Sequence, residues 1–139
     1  MVMKIYEEEA IRTALHWNQE GFNKRNKKIS VDLLNFPHIR IANKNITIHN
    51  SPEEFLKNWD RGQENLDKQG WDHTDTLSIK PVQSDKNKVH LLLHQSRINK
   101  KGLAYLDFQT LWIVTKINNK WGIQFRSSFL IPPNEISKL

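Results

Sequence analysis

Between His73 and Phe129 the hydrophobic pattern alternates residue by residue in four successive runs, and no other feature constrains the fold of this chain as tightly. A period of two sends neighbouring side chains to opposite faces, so each run is a two-faced strand. The runs cover His73–Ile79, Val89–Ile98, Leu103–Thr115 and Trp121–Phe129, and turns of the type SDKNK, NKKG and NNK link them. Strands joined by turns this short are antiparallel neighbours in one sheet.

Before residue 70 the period is that of a helix. Ile11, Ala14, Leu15, Trp17 and Phe22 form the apolar stripe of an amphipathic helix from Tyr6 to about Asn23, with Gly21 weakening its last turn. KISVDLLN (28–35) predicts a short helical turn, and FPHIRIANKNITIHN (36–50) predicts a hairpin about Asn43-Lys44-Asn45. Ser51, Pro52 and Glu54 make a helix start: a capping hydroxyl, a proline where no amide hydrogen is needed, and a carboxylate to complete a capping box. That helix shows Phe55, Leu56, Trp59 and Leu66, and Gly70 stops it. Helix, hairpin, helix and then long strands is an α+β arrangement, with helices on one face of a curved antiparallel sheet. At 139 residues, with no repeat or linker, the chain is expected to be a single domain over residues 1–139 around one core.

Composition removes several classes of function. Without cysteine there is no disulfide framework, no thiolate chemistry and no Cys-rich zinc site. MVMKIYEEEAIRT meets three glutamates before any long apolar run, so it reads as neither a secretory signal nor a membrane anchor, and a soluble cytoplasmic protein is expected. The formal charge of +6 invites a nucleic-acid partner, but the lysines and arginines are dispersed, with short runs only at 23–28, 86–88 and 100–101, each in an expected loop. A solvated basic surface is the simpler reading. His90 and His94 share a strand face with Leu92 between them, and no third ligand stands at a useful spacing, so no metal site and no cofactor are expected.

The order of elements, the length and the closing strand resemble the NTF2-like superfamily, also called SnoaL-like or cystatin-like α+β cone proteins. NFPHIRIAN (35–43), SPEEF (51–55), KVHLLLHQSRINKKG (88–102) and LWIVTKINNKWGIQFRSSF (111–129) are similar to an uncharacterised bacterial group of it. The resemblance implies a sheet curled round N-terminal helices to leave a conical pocket, and pairing of two copies through the outer sheet face. Members use such pockets for isomerisation, cyclisation, dehydration or binding, so the polar residues that reach the cavity must decide. In its steroid isomerases one acid moves a proton while a tyrosine and a protonated aspartate hold the oxyanion. Here His16, Trp17 and Asn18 occupy the neighbourhood of that tyrosine, and the second acid aligns near Leu111 or Asp107.

Four residues are candidates for catalysis. His38 and Arg40 share a strand face with Phe36, where an imidazole beside a cation can bind a carboxylate or enolate and move a proton; a structural pair at a sheet edge is the alternative. His73 and Asp75 stand two apart on the face of Leu77 and Ile79, as a base and its orienting carboxylate or as an exposed strand start. Asp107 shares a face with Tyr105 and Gln109 and is placed to pair with Arg126, either structurally or to orient a ligand. In the closing strand Gln124, Arg126 and Ser128 oppose Trp121, Ile123, Phe125 and Phe129, so they line a cavity or face solvent. With Tyr105 they are candidate ligand contacts, and Trp17, Phe36, Trp59 and Trp71 are candidate apolar walls or plain core.

Two functions remain open. One is a small enzyme doing proton-transfer chemistry on an apolar oxygenated substrate; the other is a domain that binds a small apolar or amphipathic molecule, or a protein, without catalysis. Leu92, Leu106, Phe108, Trp112 and Val114 are read as an apolar face available for a homodimer. IPPNEISKL closes the chain, stiffened by Pro132 and Pro133.

Overall fold

The structure is a computed structural model and describes residues 2–130; the Pro132-Pro133 chain end falls outside them. Helix α1 runs Ile5–His16 and continues as a π-helical turn, Trp17–Phe22; α2 follows at Lys27–Asp32. A hairpin of β1 (Leu34–Ala42) and β2 (Asn45–His49) leads to α3 (Pro52–Lys57) and α4 (Trp59–Lys68). The long strands are β3 (Trp71–Asp85), β4 (Lys88–Asn99), β5 (Ala104–Ile117) and β6 (Lys120–Ser128). All six strands join one curved, open sheet in the order β2-β1-β6-β5-β4-β3. The architecture is α+β, as the switch in period predicts. No helix among the described residues is long and apolar enough to cross a membrane.

Local chemistry explains most element ends. Ser51 Oγ accepts the Glu54 amide at 3.3 Å, with Pro52 inside the first turn. The Glu54 carboxylate reaches one residue further back than a capping box requires, to the Asn50 amide at 2.6 Å. The helix expected from there to Gly70 is interrupted at Asn58, which closes α3 and opens α4. Asn43 turns the hairpin at φ 57°, a left-handed conformation that asparagine tolerates. Gly21 is required by contact: a Cβ there would lie 2.9 Å from Ser30 Oγ, so α2 could not pack as closely.

The register fixes what faces the helices. Leu34, Ile123, Val114 and Val89 are successive partners across β1, β6, β5 and β4, and all four are buried. Ala10 and Ala14 of α1 close over this row. Leu106, Phe108, Trp112 and Val114 belong to the same inner face and are buried. They are therefore core and pocket wall, which corrects their reading as a surface for a second copy; of that stripe only Leu92 lies on the other face. The sheet also holds one pairing that the turn pattern does not announce: β1 runs parallel to β6.

Three irregularities change which residues share a face. Between β5 and β6 the register shifts so that Gln124 is the extra residue: Ile113 pairs with Phe125 and Val114 with Ile123. Trp121 and Ile123 consequently lie on the same side as Arg126 and Ser128, while Phe125 turns outward and Phe129 is 67% exposed. A second shift at Leu77 leaves that residue unpaired and exposed and brings Ile79 in against the core, which separates Ile79 from the expected face of His73 and Asp75. The third, between Arg97 and Ile98, makes Tyr105 the unpaired residue of β5.

Candidate functional site

The inner face changes character along each strand. On β4 it runs Val89, Leu91, Leu93, Gln95, Arg97; on β6, Trp121, Ile123, Arg126, Ser128; on β1, Leu34, Phe36, His38, Arg40, Ala42. The apolar halves meet α1 and form the core. Beyond them a cavity of about 380 Å³ opens between the sheet, the π-turn and α3–α4, a size usual for small-molecule sites.

The π-turn shapes one wall. Its wider pitch sets Trp17 and Phe22 five apart in sequence yet stacked, ring centroids 5.3 Å apart, with Asn18 beside them on the cavity. Trp112 meets Trp17 edge-on at 5.4 Å, and Phe108 closes the wall. Trp17 Nε1 donates to Ser30 O at 3.1 Å. Asn18 Nδ2 donates to Thr74 O at 3.0 Å, and Gln95 Nε2 donates to Thr76 Oγ1 at 3.1 Å, which fixes two amides at the cavity edge. From the other side α3 and α4 present Phe55, Asn58, Trp59, Gly62 and Gln63.

Arg40, Arg97 and Arg126 all line the cavity, and among the described residues no Asp or Glu does. Arg40 and Arg126 are direct partners across the parallel β1–β6 pair, on the same face. Like charges so placed repel. Arg126 donates from Nε to His38 Nε2 at 3.3 Å and lies over the Trp17 ring at 4.6 Å. Arg97 donates from Nη1 to Gln69 Oε1 at 3.0 Å and lies over Phe108 at 5.6 Å. Burial, and then neighbouring arginine charge, pushes the pKa of Arg126 far down and that of Arg40 down; burial does the same to Arg97. None of the three makes an ion pair among the described residues.

His38 is buried and held at both ring nitrogens. Nδ1 lies 2.9 Å from Ile123 O, and a carbonyl can only accept, so Nδ1 carries the hydrogen and Nε2 offers its lone pair to Arg126. Burial, with the Arg126 charge adding to it, lowers its pKa to about 3. His38 is thus a neutral support for Arg126 behind the pocket wall. His49 does line the pocket, edge-on to Phe55 at 5.5 Å. Arg61 holds Asn58 Oδ1 at 2.7 Å, which turns Asn58 Nδ2 toward His49 Nε2 at 3.3 Å. The hydrogen of His49 then sits on Nδ1. Burial, followed by Arg126, lowers the pKa of this histidine too.

The residues singled out from sequence separate into groups. Trp17, Arg40, Trp59, Arg126 and Ser128 line the cavity. Phe36 packs against the core, and Trp71 is buried with Nε1 donating to Thr74 Oγ1 at 2.9 Å. Gln124 lies on the outer face, accepting from Thr115 Oγ1 at 3.0 Å, because the bulge displaces it. Asp107 does not pair with Arg126: it stands opposite Ser96, whose hydroxyl it accepts, on the outer face, while Arg126 stands opposite Trp112. His73 lies outside the pocket between Asp72 and Asp75, at 2.8 and 3.3 Å. Tyr105 supports the site from behind, donating to the same Gln69 oxygen as Arg97, at 2.8 Å. Arg97, Gln95, Asn18 and His49 carry the site and were not singled out. For Gln95 and Arg97 the signal was present, since they continue the alternation of Val89, Leu91 and Leu93.

No family model matches the sequence, and neither does any curated protein. Solved structures do match. A protein of unknown function with a cystatin-like fold from Nostoc punctiforme PCC 73102 superposes with a TM-score of 0.73 at 14% identity, covering 96% of this chain and 97% of its own. The chain has the NTF2-like, cystatin-like fold. An NTF2-like protein of unknown function from Shewanella oneidensis MR-1 (TM-score 0.67, 15% identity, 88% and 98% coverage) shares this cone. So does a ketosteroid isomerase-like protein from Erwinia carotovora atroseptica SCRI1043 (TM-score 0.67, 11% identity, 94% and 100% coverage). At these identities the likeness concerns the NTF2-like fold alone.

Proposed function

We propose that this chain binds a small amphipathic molecule in the cone pocket and holds it without acid-base chemistry. The observation that carries the reading is the lining itself: aromatic walls with amides, hydroxyls and guanidiniums, with no carboxylate among the described residues, and a nearby histidine kept neutral by burial. A proton-transfer enzyme needs a group that can take a proton within reach of the substrate. His38 has both ring nitrogens engaged, and His49 has its lone pair on Asn58.

The pocket can be closed without disturbing its walls. Gly62 lines the pocket and a Cβ built there meets nothing within 4 Å, so Gly62→Trp is expected to fill the mouth. Naphthalene-2-carboxylate and naphthalene-2-carboxamide, titrated calorimetrically, serve as probes. At least one is expected to bind the native chain, and Gly62→Trp to abolish that binding. Deuterium exchange into naphthalen-2-ylacetone is expected to proceed at the buffer rate; an acceleration lost in His49→Gln would make His49 a base and sink the non-catalytic reading.

We also propose that two copies pair through the outer face. There Ile48, Ile39, Phe125 and Ile113 are successive cross-strand partners, and Ile41 and Leu111 flank Ser127 in the next row. Across β2, β1, β6 and β5 these rows carry no charge, the first lysine being Lys80 at the β3 edge, so two copies of a +6 chain can meet there without opposing like charges. Sedimentation equilibrium of the native chain and of Ile113→Lys tests it: a native monomer at micromolar concentration overturns the pairing.

A further inference from the structure

We infer that the ligand is an organic anion with a flat apolar body, its oxyanion bridging Arg40 and Arg126 and reaching Arg97. This names the ligand class of the pocket proposed above and rests on that reading. Three observations support it independently of one another.

The first is uncompensated charge. Three guanidiniums line one cavity of about 380 Å³ with no Asp or Glu among the described lining residues, and two of them are direct cross-strand partners. Arginine stays protonated in proteins, so the charge cannot be shed. An oxyanion between Arg40 and Arg126 turns their repulsion into two charge-assisted contacts, in a forked geometry that matches a carboxylate.

The second is an excess of donors. Arg97 Nε is buried without a hydrogen-bond partner among the described residues, and so is His49 Nδ1, the nitrogen that carries hydrogen. Arg40 makes no side-chain hydrogen bond among them. Unpaired donors are costly; Arg97 Nε and His49 Nδ1 sit behind the wall rather than on it, but the Arg40 guanidinium lines the cavity with none of its donors engaged by a described side chain or carbonyl, so what the cavity lacks is an acceptor. A cation or a pure hydrocarbon supplies none.

The third is shape. The guanidiniums of Arg126 and Arg97 already lie over the Trp17 and Phe108 rings, so the charged and aromatic parts of the site are contiguous. Trp17, Phe22 and Trp112 on one side and Phe55 and Trp59 on the other flank the remaining space. A planar ring bearing a carboxylate satisfies both parts at once.

The experiment compares the two naphthalene probes, which are similar in shape and differ in charge. The carboxylate is expected to bind the native chain at least tenfold tighter than the carboxamide. In Arg40→Gln, which breaks no side-chain hydrogen bond among the described residues, the preference for carboxylate over carboxamide should fall severalfold. Equal affinities in the native chain leave the pocket standing and overturn the anion. No binding of either probe overturns both. Carboxylate binding that survives Gly62→Trp places the anion elsewhere and also overturns the inference. The native comparison decides even if Arg40→Gln fails to fold.

Discussion

The two ends of the cone are built from the same strands and obey opposite rules. At the closed end Leu34, Ile123, Val114 and Val89 form a buried row in which every group is apolar, and α1 covers it with Ala10 and Ala14, Tyr6 and Ile11 packing beside them. At the open end the next partners on the same face are Arg40, Arg126 and Trp112, followed by Ala42, Ser128 and Thr110. Burial at the first end is favourable without further conditions. At the second it removes water from like charges and leaves donors unpaired. The fold thus keeps the stability of one end apart from the chemistry of the other, and the boundary between them is one or two residues wide on each strand.

The contrast can be broken most severely at the closed end. Leu91→Ala, at a fully buried position, is expected to cost about 3 kcal/mol, read as a lower urea midpoint with an unchanged slope. Acid attacks the boundary instead. His38 has a folded pKa near 3 against about 6.5 unfolded, so the unfolded chain takes up the proton first. The stability tied to its neutral form is complete above about pH 6.5 and is lost as pH falls toward 3, about 3 kcal/mol by pH 4. Urea melts at pH 8 and pH 4 in the native chain and in His38→Gln should differ by that amount; equal pH dependence in the two would show that His38 is not the titrating group.

At the open end the sign should reverse. Arg40→Met replaces a poorly compensated charge with an apolar chain of similar length, and is expected to stabilise the empty protein by about 1 kcal/mol while weakening carboxylate binding severalfold. A loss of stability would mean that Arg40 is compensated after all. The smallest effect belongs to α4, where Gly62→Ala should raise the thermal midpoint by the helix-propensity difference, roughly 0.5–1 kcal/mol.

What the sequence discloses divides along the same boundary. The amphipathic stripe of α1, the Ser51-Pro52 start and the alternation of β4 and β5 are local signals, and each appears where the residues place it. The bulge at Gln124 is not local. Strict alternation sets Trp121 and Ile123 against Arg126, and one inserted residue unites them, which only the pairing of β5 with β6 can decide. The π-turn is hidden for a similar reason, since its apolar residues also fit an α-helical stripe. Arg97 continues the same alternation, but a cation at the end of an aliphatic run reads as the strand leaving the core rather than entering a pocket.

The parallel β1–β6 pair has a consequence in time. It joins groups 85 residues apart in sequence, His38 to Ile123, so Arg40 and Arg126 cannot meet until the last strand of the sheet docks. Contacts of such separation carry the largest loop-closure cost and tend to form late in folding. The repulsion between the arginines is then felt mainly after the rate-limiting barrier, and relieving it slows the escape from the folded state far more than it hastens arrival there.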